Sequence, residues 1–393
     1  MGKQGPAQFR FVPAGWIEYA DPSEEITILA AVDVPPWSNS AMDGYAVRAA
    51  DVAKTPCRLD LIGESAAGHG FTGRIGKGEA VRIFTGAPVP EGADTIVIQE
   101  NVRLIDKTSI HVEKGEQQGR FVRPAGLDFS AGDVLLNAQT TLDASKISLA
   151  AAMNHPRLPV VRKPRVSIIA TGDELVMPGT TPGPDQIVAS NNFGVSALVQ
   201  QVGADATDLG IAADTLESLE EKFNQSGCAD SDIVVTLGGA SVGDHDLVRT
   251  ALEARGVKLD FWKLAMRPGK PVMFGKSTKK GQTTRFIGLP GNPVSSLVCT
   301  VIFLWPLMRK MQGLMCKNER HMSKLATPLP ANDQREEYMR AHFEWRDGVR
   351  HVTPFDNQDS SILTLMTKAN CLLVRPAHAP AAEIGAEFEI IEL

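Results

Sequence analysis

The chain has 393 residues, 43% of them hydrophobic, and a formal net charge of −6. That length exceeds one compact core, so roughly two to four domains are expected. The acidic balance excludes a general nucleic-acid binder, whose phosphate partner demands a basic face. Five cysteines (Cys57, Cys228, Cys299, Cys316, Cys371), odd in number and without a Cys-x-x-Cys pair, disfavour a disulfide framework and a zinc site. The first ten residues carry no apolar signal core. The most apolar run, Val294 to Leu307, reads as too short for a bilayer span and contains Pro306. The expectation is a soluble cytoplasmic protein that engages neither nucleic acid nor membrane.

Residues 1–34 hold Pro13, Gly15 and Pro22, which break any long helix, and Ile26 to Val34 reads equally as a short helix or a strand. From Pro35 a polar turn flanks the pair Asp43-Gly44, and an apparent strand follows. Short apolar runs separated by glycines come next: Leu59–Ile62, Ala80–Phe84, Thr95–Gln99, Ser109–Val112 and Val134–Leu136. They predict a small all-β domain. Residues 141–153 look helical and lead through Pro156, Pro159 and Pro164 into a segment, 165–315, where strand and helix alternate. That alternation predicts a parallel sheet covered on both faces. Its strands are Val166–Ala170, Asp208–Ala212, Ile233–Leu237, Leu259–Leu264, Val272–Phe274 and Phe286–Leu289. Helices are marked by the apolar faces Val195, Leu198, Val199 and Val202, then Leu216, Leu219 and Phe223, then Leu247, Val248, Ala251 and Leu252, and a last helix starts with Asn292 as N-cap and Pro293 at the first helical position. Beyond residue 325, Arg340–Trp345, Val349–Pro354, Leu372–Arg375 and Phe388–Glu392 read as strands of a terminal β-domain.

Three turns in the α/β segment carry the chemistry. Ligands of open α/β sheets bind at the carboxyl ends of the strands, so these turns are expected to meet. Leu289-Pro-Gly-Asn-Pro-Val-Ser-Ser296 combines a glycine turn with a helix start, which offers free N–H groups to an anion. Gly291, Asn292, Ser295 and Ser296 are its candidate donors, and a plain capped turn reads equally well. Lys263, Arg267 and Lys270 surround a rigid Pro-Gly-Lys-Pro turn and suit an oxyanion better than a solvated loop. Gly238, Gly239 and Ser241 open a turn that continues to Asp244, read as a cap, and Asp246, read as a magnesium or phosphate-site carboxylate. Glu174 and Asp214 also follow strands. For Asp214 a cap to the next helix reads as well as a ligand role. Asp43, Thr85 and Asp128 lie in the β-domain and, taken alone, read as turn chemistry.

Ser38-Asn-Ser-Ala-Met-Asp-Gly-Tyr-Ala46, Arg82-Ile-Phe-Thr-Gly-Ala-Pro-Val-Pro90, Ala170-Thr-Gly-Asp-Glu-Leu175, Gly238 to Asp246, Arg267-Pro-Gly-Lys-Pro271 and Leu289 to Ser296 closely resemble, in order, the motifs of the MoeA family. That family comprises molybdopterin molybdenumtransferases and includes the gephyrin E domain. The resemblance implies a multidomain α/β protein. Its central doubly wound α/β domain, of the molybdenum-cofactor-biosynthesis type (165–324), stands between a small β-domain (35–136) and a C-terminal β-domain (325–393). Residues 1–34 and 137–164 would form a reduced connecting region, because the family's long N-terminal helix is missing. The implied reaction inserts molybdate into adenylylated molybdopterin with magnesium and releases AMP, in a cytoplasmic homodimer. Partners would be those small molecules, with a molybdopterin adenylyltransferase or an acceptor molybdoenzyme beside them.

Carried over by position, the catalytic groups would be Asp43, Thr85, Asp128, Glu174, Asp214 and Asp246, the last three carboxylates holding the metal. Lys263, Arg267 and Lys270 would bind substrate, with Gly238, Gly239, Ser241, Gly291, Asn292, Ser295, Ser296 and Ser360. Arg267 stands where lysine is common, and Asp359 precedes Ser360 where glycine is usual. The competing expectations are a nucleotide-binding relative of adenylyltransferase type, which would lack the Asp43, Thr85 and Asp128 motifs, and a non-catalytic molybdopterin-binding scaffold.

Overall fold

The structure, a computed structural model, describes residues 17–20, 26–239, 247–261, 264–279, 281–314 and 318–393. It divides into two units. One is mainly Glu24–Pro159 and the other mainly Val160–Leu393.

The N-terminal unit is built on a six-stranded sheet. Its strands are β1 (Gly44–Val47), β2 (Cys57–Ser65), β3 (Glu79–Ile83), β4 (Thr95–Ile98), β5 (Val102–Asp106) and β6 (Ser109–Val112). The order is β4-β1-β3-β2-β6-β5. β5 is absent from the sequence reading because four of its five residues are exposed, so no apolar alternation marks it. The inner faces bury Tyr45, Val47, Leu59, Val97 and Ile110 on one side and Ala46, Val81, Ile83 and Ile96 on the other. Ile28–Leu29 resolves the helix-or-strand ambiguity as a two-residue strand against Val134–Leu136. Helix α1 (Ala144–Ala152) starts at Asp143, whose carboxylate accepts the Lys146 N–H.

In the second unit the α/β layer comprises β7 (Arg165–Thr171), α2 (Asn191–Gln201), β8 (Asp205–Ala212), α3 (Leu216–Asn224), β9 (Ile233–Leu237), α4 (Leu247–Ala254), β10 (Lys258–Phe261), β11 (Met273–Lys279), β12 (Gln282–Leu289) and α5 (Pro293–Cys299). The sheet order is β8-β7-β9-β12-β11-β10. β8, β7, β9 and β12 are parallel, but β11 and β10 run antiparallel at one edge. The expected parallel sheet thus holds for four strands and is corrected at this one edge. Only Lys280 and Gly281 separate β11 from β12, too short a link for the crossover a parallel pair needs. β9 is buried along its whole length because both faces are covered. Val235 packs with Val195, Val199 and Val298, and Val234 with Leu219, Phe223 and Val248 on the opposite side.

The helix begun by α5 continues through a π-turn (Thr300–Leu304) into α6 (Trp305–Met311). Pro306 cannot donate a backbone hydrogen bond, which accounts for the wider turn before it, and Asn318 Nδ2 satisfies the Val301 carbonyl at 3.0 Å. The whole helix has 19 residues, which by length and composition alone suffices to cross a bilayer. It is thus longer than the sequence reading allowed. It is a core helix nonetheless: half of its apolar window is buried, and Val298, Val301, Leu304 and Met308 sit in the α/β core.

The C-terminal sheet contains β13 (Arg320–Leu325), β14 (Glu336–Arg346), β15 (Val349–Pro354), β16 (Cys371–Arg375) and β17 (Glu387–Glu392). They pair in the order β14-β15-β13-β17-β16, and β16 returns to β14, closing the ring and leaving no edge among them. β13 lies largely before residue 325, where the sequence reading began this domain.

Candidate active site

β7, β9 and β12 are parallel neighbours, so their carboxyl ends, Thr171, Leu237 and Leu289, fall at one edge of the sheet. The turns leaving them line a cavity of about 880 Å³, with Gly172, Glu174, Asp214, Gly238, Gly239 and Gly291 to Pro293 in its wall. Gly238 has φ +92°, and a Cβ there would stand 2.7 Å from the Thr171 carbonyl oxygen. At Gly239, φ +67°, it would meet the Val248 side chain at 2.4 Å. Both positions need glycine because strand, turn and helix converge there. The Gly238 N–H, expected to face a ligand, instead donates to the Leu289 carbonyl at 3.0 Å. Ser241 and Asp246 lie outside the described residues.

The turn after β12 is clasped from three directions. Asn191 Nδ2, at the start of α2, donates to the Gly291 carbonyl at 2.6 Å. Asn292 occupies the N-cap position of α5 with Pro293 next, but its side chain makes no cap bond. It donates instead to Ser360 Oγ at 2.9 Å, while the Val294 N–H donates to the Ser360 carbonyl at 3.1 Å. Ser296 Oγ donates to the Pro290 carbonyl at 2.5 Å. The expectation of two serine hydroxyls facing a ligand is therefore corrected. Ser295 and Ser296 are 4% and 0% exposed and neither lines the cavity. What the turn offers an anion is backbone: the Gly291 and Asn292 N–H groups have no partner among the described residues.

Ser360 is held by a device the sequence reading missed. Arg340, 1% exposed on β14, donates to the carbonyls of Ile362, Asn357 and Asp359 at 2.9, 3.1 and 2.9 Å. Gln358 bonds the Arg340 backbone on both its N–H and its carbonyl. Burial lowers the Arg340 pKa from its ordinary value. Asp359, the departure from the family motif, accepts the Ser361 N–H at 2.8 Å and its hydroxyl at 2.7 Å, and these bonds hold its carboxyl below the usual range. Ser361 rather than Ser360 reaches the cavity wall. The available signal was Arg340 on the inward-facing phase of a strand, since a buried arginine there must have acceptors.

Glu174 and Asp214 are exposed and both line the cavity. Gly172 has φ +146°, and a Cβ there would fall 2.3 Å from Glu174 Oε2, so the carboxylate lies directly over the glycine. Asp214 is not the cap of α3. Thr215 is, accepting the Ser218 N–H at 3.2 Å. The Asp214 N–H donates to Asp173 Oδ1 at 3.0 Å, which joins the two turns. Among the described residues no cluster of three metal-ligating side chains forms.

The three expected cations part company. Lys263 lies outside the described residues. Arg267 pairs with Asp333 at 2.7 Å and Glu337 at 3.6 Å, and the short strand Met266–Arg267 joins β14. Its charge is committed to the C-terminal domain, which corrects the expectation that it serves an oxyanion. Lys270 is exposed, has no carboxylate partner among the described residues, and adjoins Pro271 in the cavity wall.

In the N-terminal unit Asp43 Oδ1 accepts both the Thr85 N–H, at 2.7 Å, and the Thr85 hydroxyl, at 2.8 Å. The two bonds hold the Asp43 carboxyl below the usual range, with Arg82 adding to the effect. Arg82 stacks at 5.0 Å on Tyr45 and 4.9 Å on Phe84 and donates to the Gly44 carbonyl. Asp43 and Thr85, unconnected in sequence, thus form one group. Asp128 is exposed, and among the described residues its backbone N–H donates to the Val34 carbonyl at 2.9 Å while its carboxylate has no partner.

Residues 25–154 match the MoeA N-terminal region (domain I and II), 167–310 a probable molybdopterin binding domain, and 323–393 the MoeA C-terminal region (domain IV). The molybdopterin molybdenumtransferase of Nostoc sp. is 36% identical over 93% of this chain and 84% of its own. That of Haemophilus influenzae is 35% identical over 88% and 85%. Two crystal structures of the MoeA protein from Pyrococcus horikoshii superpose with TM-scores of 0.79 and 0.69, at 28% and 25% identity, each covering about 94–95% of both chains. Three consecutive matches, the identity to curated enzymes and the shared fold agree with the motifs that the cavity brings together: the chain belongs to the MoeA family of molybdopterin molybdenumtransferases, enzymes of molybdenum cofactor biosynthesis.

Proposed function

We propose that this enzyme inserts molybdate into adenylylated molybdopterin with magnesium and releases AMP, acting as a cytoplasmic homodimer. One observation carries the reading: the free backbone donors at Gly291 and Asn292 and the carboxylates of Glu174 and Asp214 line the same cavity. The former suit a phosphate at a helix start. The latter are hard oxygen donors, and two carboxylates completed by substrate oxygens suit magnesium. Bound there with Asp246, it would offset charge on the phosphoanhydride. Lys270, without a carboxylate partner among the described residues, supplies a cation for the molybdate dianion, and Lys263, seven residues earlier in the sequence, would add a second. Gly238 and Gly239 let the turn after β9 pack against Thr171 and Val248 at the cavity wall. Asp43, Thr85 and Asp128 act, in this reading, at the cavity of the partner protomer.

The test is AMP release from the purified enzyme given adenylylated molybdopterin and magnesium, with and without molybdate. Molybdate-dependent release with active cofactor formed is the expected result. Tight binding of the adenylylated pterin without turnover would replace the reading with that of a carrier.

A further inference from the structure

Asp43 has one carboxylate oxygen fixed and one free. Oδ1 takes both bonds from Thr85, and Oδ2 has no partner among the described residues. A carboxylate presented in this way is aimed only as well as the backbone that carries it. That backbone is held on two sides. The Gln99 N–H donates to the Asp43 carbonyl at 3.1 Å. Gly44, next in the chain, lies so close to β4 that a Cβ there would stand 2.1 Å from the Val97 carbonyl oxygen.

Arg82 reaches both of these anchors. It stands opposite Tyr45 in the register of β1 with β3. One guanidinium nitrogen donates to the Gly44 carbonyl at 3.2 Å and the other to Gln99 Oε1 at 2.7 Å. The Tyr45 and Phe84 rings, at 5.0 and 4.9 Å, steady its plane. Phe84 immediately precedes Thr85, so one side chain contacts both arms that carry the Asp43–Thr85 pair. A planar fork that donates in two directions while stacking on rings is a task for arginine and not for lysine. No carboxylate lies within ion-pair distance of Arg82 among the described residues, although Glu64 is its register neighbour on β2. Its charge is thus free of a salt bridge and adds to the bonds that hold the Asp43 carboxyl below the usual range.

We propose that Arg82 is the positioning residue of the Asp43–Thr85 pair, acting through the Gly44 carbonyl, Gln99 and the Phe84 ring to fix where the free oxygen of Asp43 points. The inference rests on the reading that Asp43 and Thr85 serve molybdenum insertion. It goes beyond that reading by adding a residue that does not itself touch substrate.

The test compares Arg82→Lys, Gln99→Ala and Asp43→Asn in the full chain. Arg82→Lys keeps the charge but loses the two-way fork and the flat stack. Its kcat for molybdenum insertion is expected to fall about tenfold or more, with KM within about twofold, because a misplaced group lowers rate rather than binding. By NMR titration its Asp43 carboxyl is expected to rise towards the ordinary range as the Thr85 bonds loosen, a change that loss of charge cannot explain and that a purely structural role for Arg82 would not produce. Gln99→Ala, at an exposed position, removes one of the two acceptors and is expected to move kcat and the titration in the same direction by a smaller factor. It keeps the test valid if Arg82→Lys disturbs the fold. Full turnover in Asp43→Asn would overturn the role of Asp43 and this inference with it. Where Asp43→Asn is defective, normal kcat in Arg82→Lys or an unmoved Asp43 titration would overturn this inference alone.

Discussion

Substituting Gly172 by alanine tests whether the position of the Glu174 carboxylate matters. The new methyl group would fall 2.3 Å from Glu174 Oε2 and 2.6 Å from its carboxyl carbon. Those atoms are the far end of a flexible side chain, so the contact is relieved by swinging the carboxylate away at little cost. The backbone strain is not relieved. At φ +146° a Cβ-bearing residue sits in a region nearly reserved for glycine, which costs about 1–3 kcal/mol. At about 2–4 °C per kcal/mol for a domain of this size, the thermal midpoint should fall by several degrees. Molybdenum insertion should fall much further, towards the level of Glu174→Ala, because the carboxylate has left its place. The double variant Gly172→Ala/Glu174→Ala closes the cycle: its stability should match that of Gly172→Ala, and its activity should be no lower than that of Glu174→Ala alone. Full activity in Gly172→Ala, with the midpoint lowered as expected, would refute the idea that Glu174 acts from its observed position.

Thr85→Val removes one of two hydrogen bonds to Asp43 but keeps the backbone bond, the larger cause of the lowered pKa. An NMR titration should show the Asp43 carboxyl rising part of the way back to the ordinary range, and an unmoved titration would mean the hydroxyl bond contributes nothing in solution. Asp232 is buried and tied to Arg162 by two bonds of 2.8 Å and to the Arg165 N–H at 2.7 Å. Burial pushes its pKa up, but these bonds and the two guanidinium charges outweigh it and leave it lowered. A carboxyl with a lowered folded pKa stabilises the fold above its unfolded pKa, and that stability is lost as pH falls through the folded value. Arg162→Leu should therefore cost about 1–3 kcal/mol at neutral pH, discounted because Arg162 is 45% exposed, and should flatten the acid limb of the stability curve. An unchanged acid limb in urea melts across pH would contradict this. Lys270→Ala should weaken molybdate dependence with stability preserved, whereas Arg267→Ala should mainly lower stability by loosening its pairs with Asp333 and Glu337. The reverse pattern in paired melts and kinetics would exchange the two roles.

Much of this protein is legible in its sequence for local reasons. Ile233–Leu237 announces a buried strand because five apolar or small residues in a row leave no face for water. Asn292-Pro293 announces a helix start because the proline ring presets the backbone there. The ordered motifs identify the family, since each turn carries its own glycine and charge. β5 and β13 were not legible, because exposed or mixed residues show no period. What each polar side chain does was decided only by tertiary structure. Asn292 is spent on Ser360, Ser296 on Pro290, and Arg267 on Asp333, all partners that no spacing reveals. Arg340 was invisible as an organiser because its acceptors are carbonyls 17 to 22 residues away, brought within reach by the closed sheet. Sequence sets which residues turn, cap and pair locally. Whether a charge or hydroxyl remains available to a ligand depends on who arrives from elsewhere in the chain, and only folding settles that.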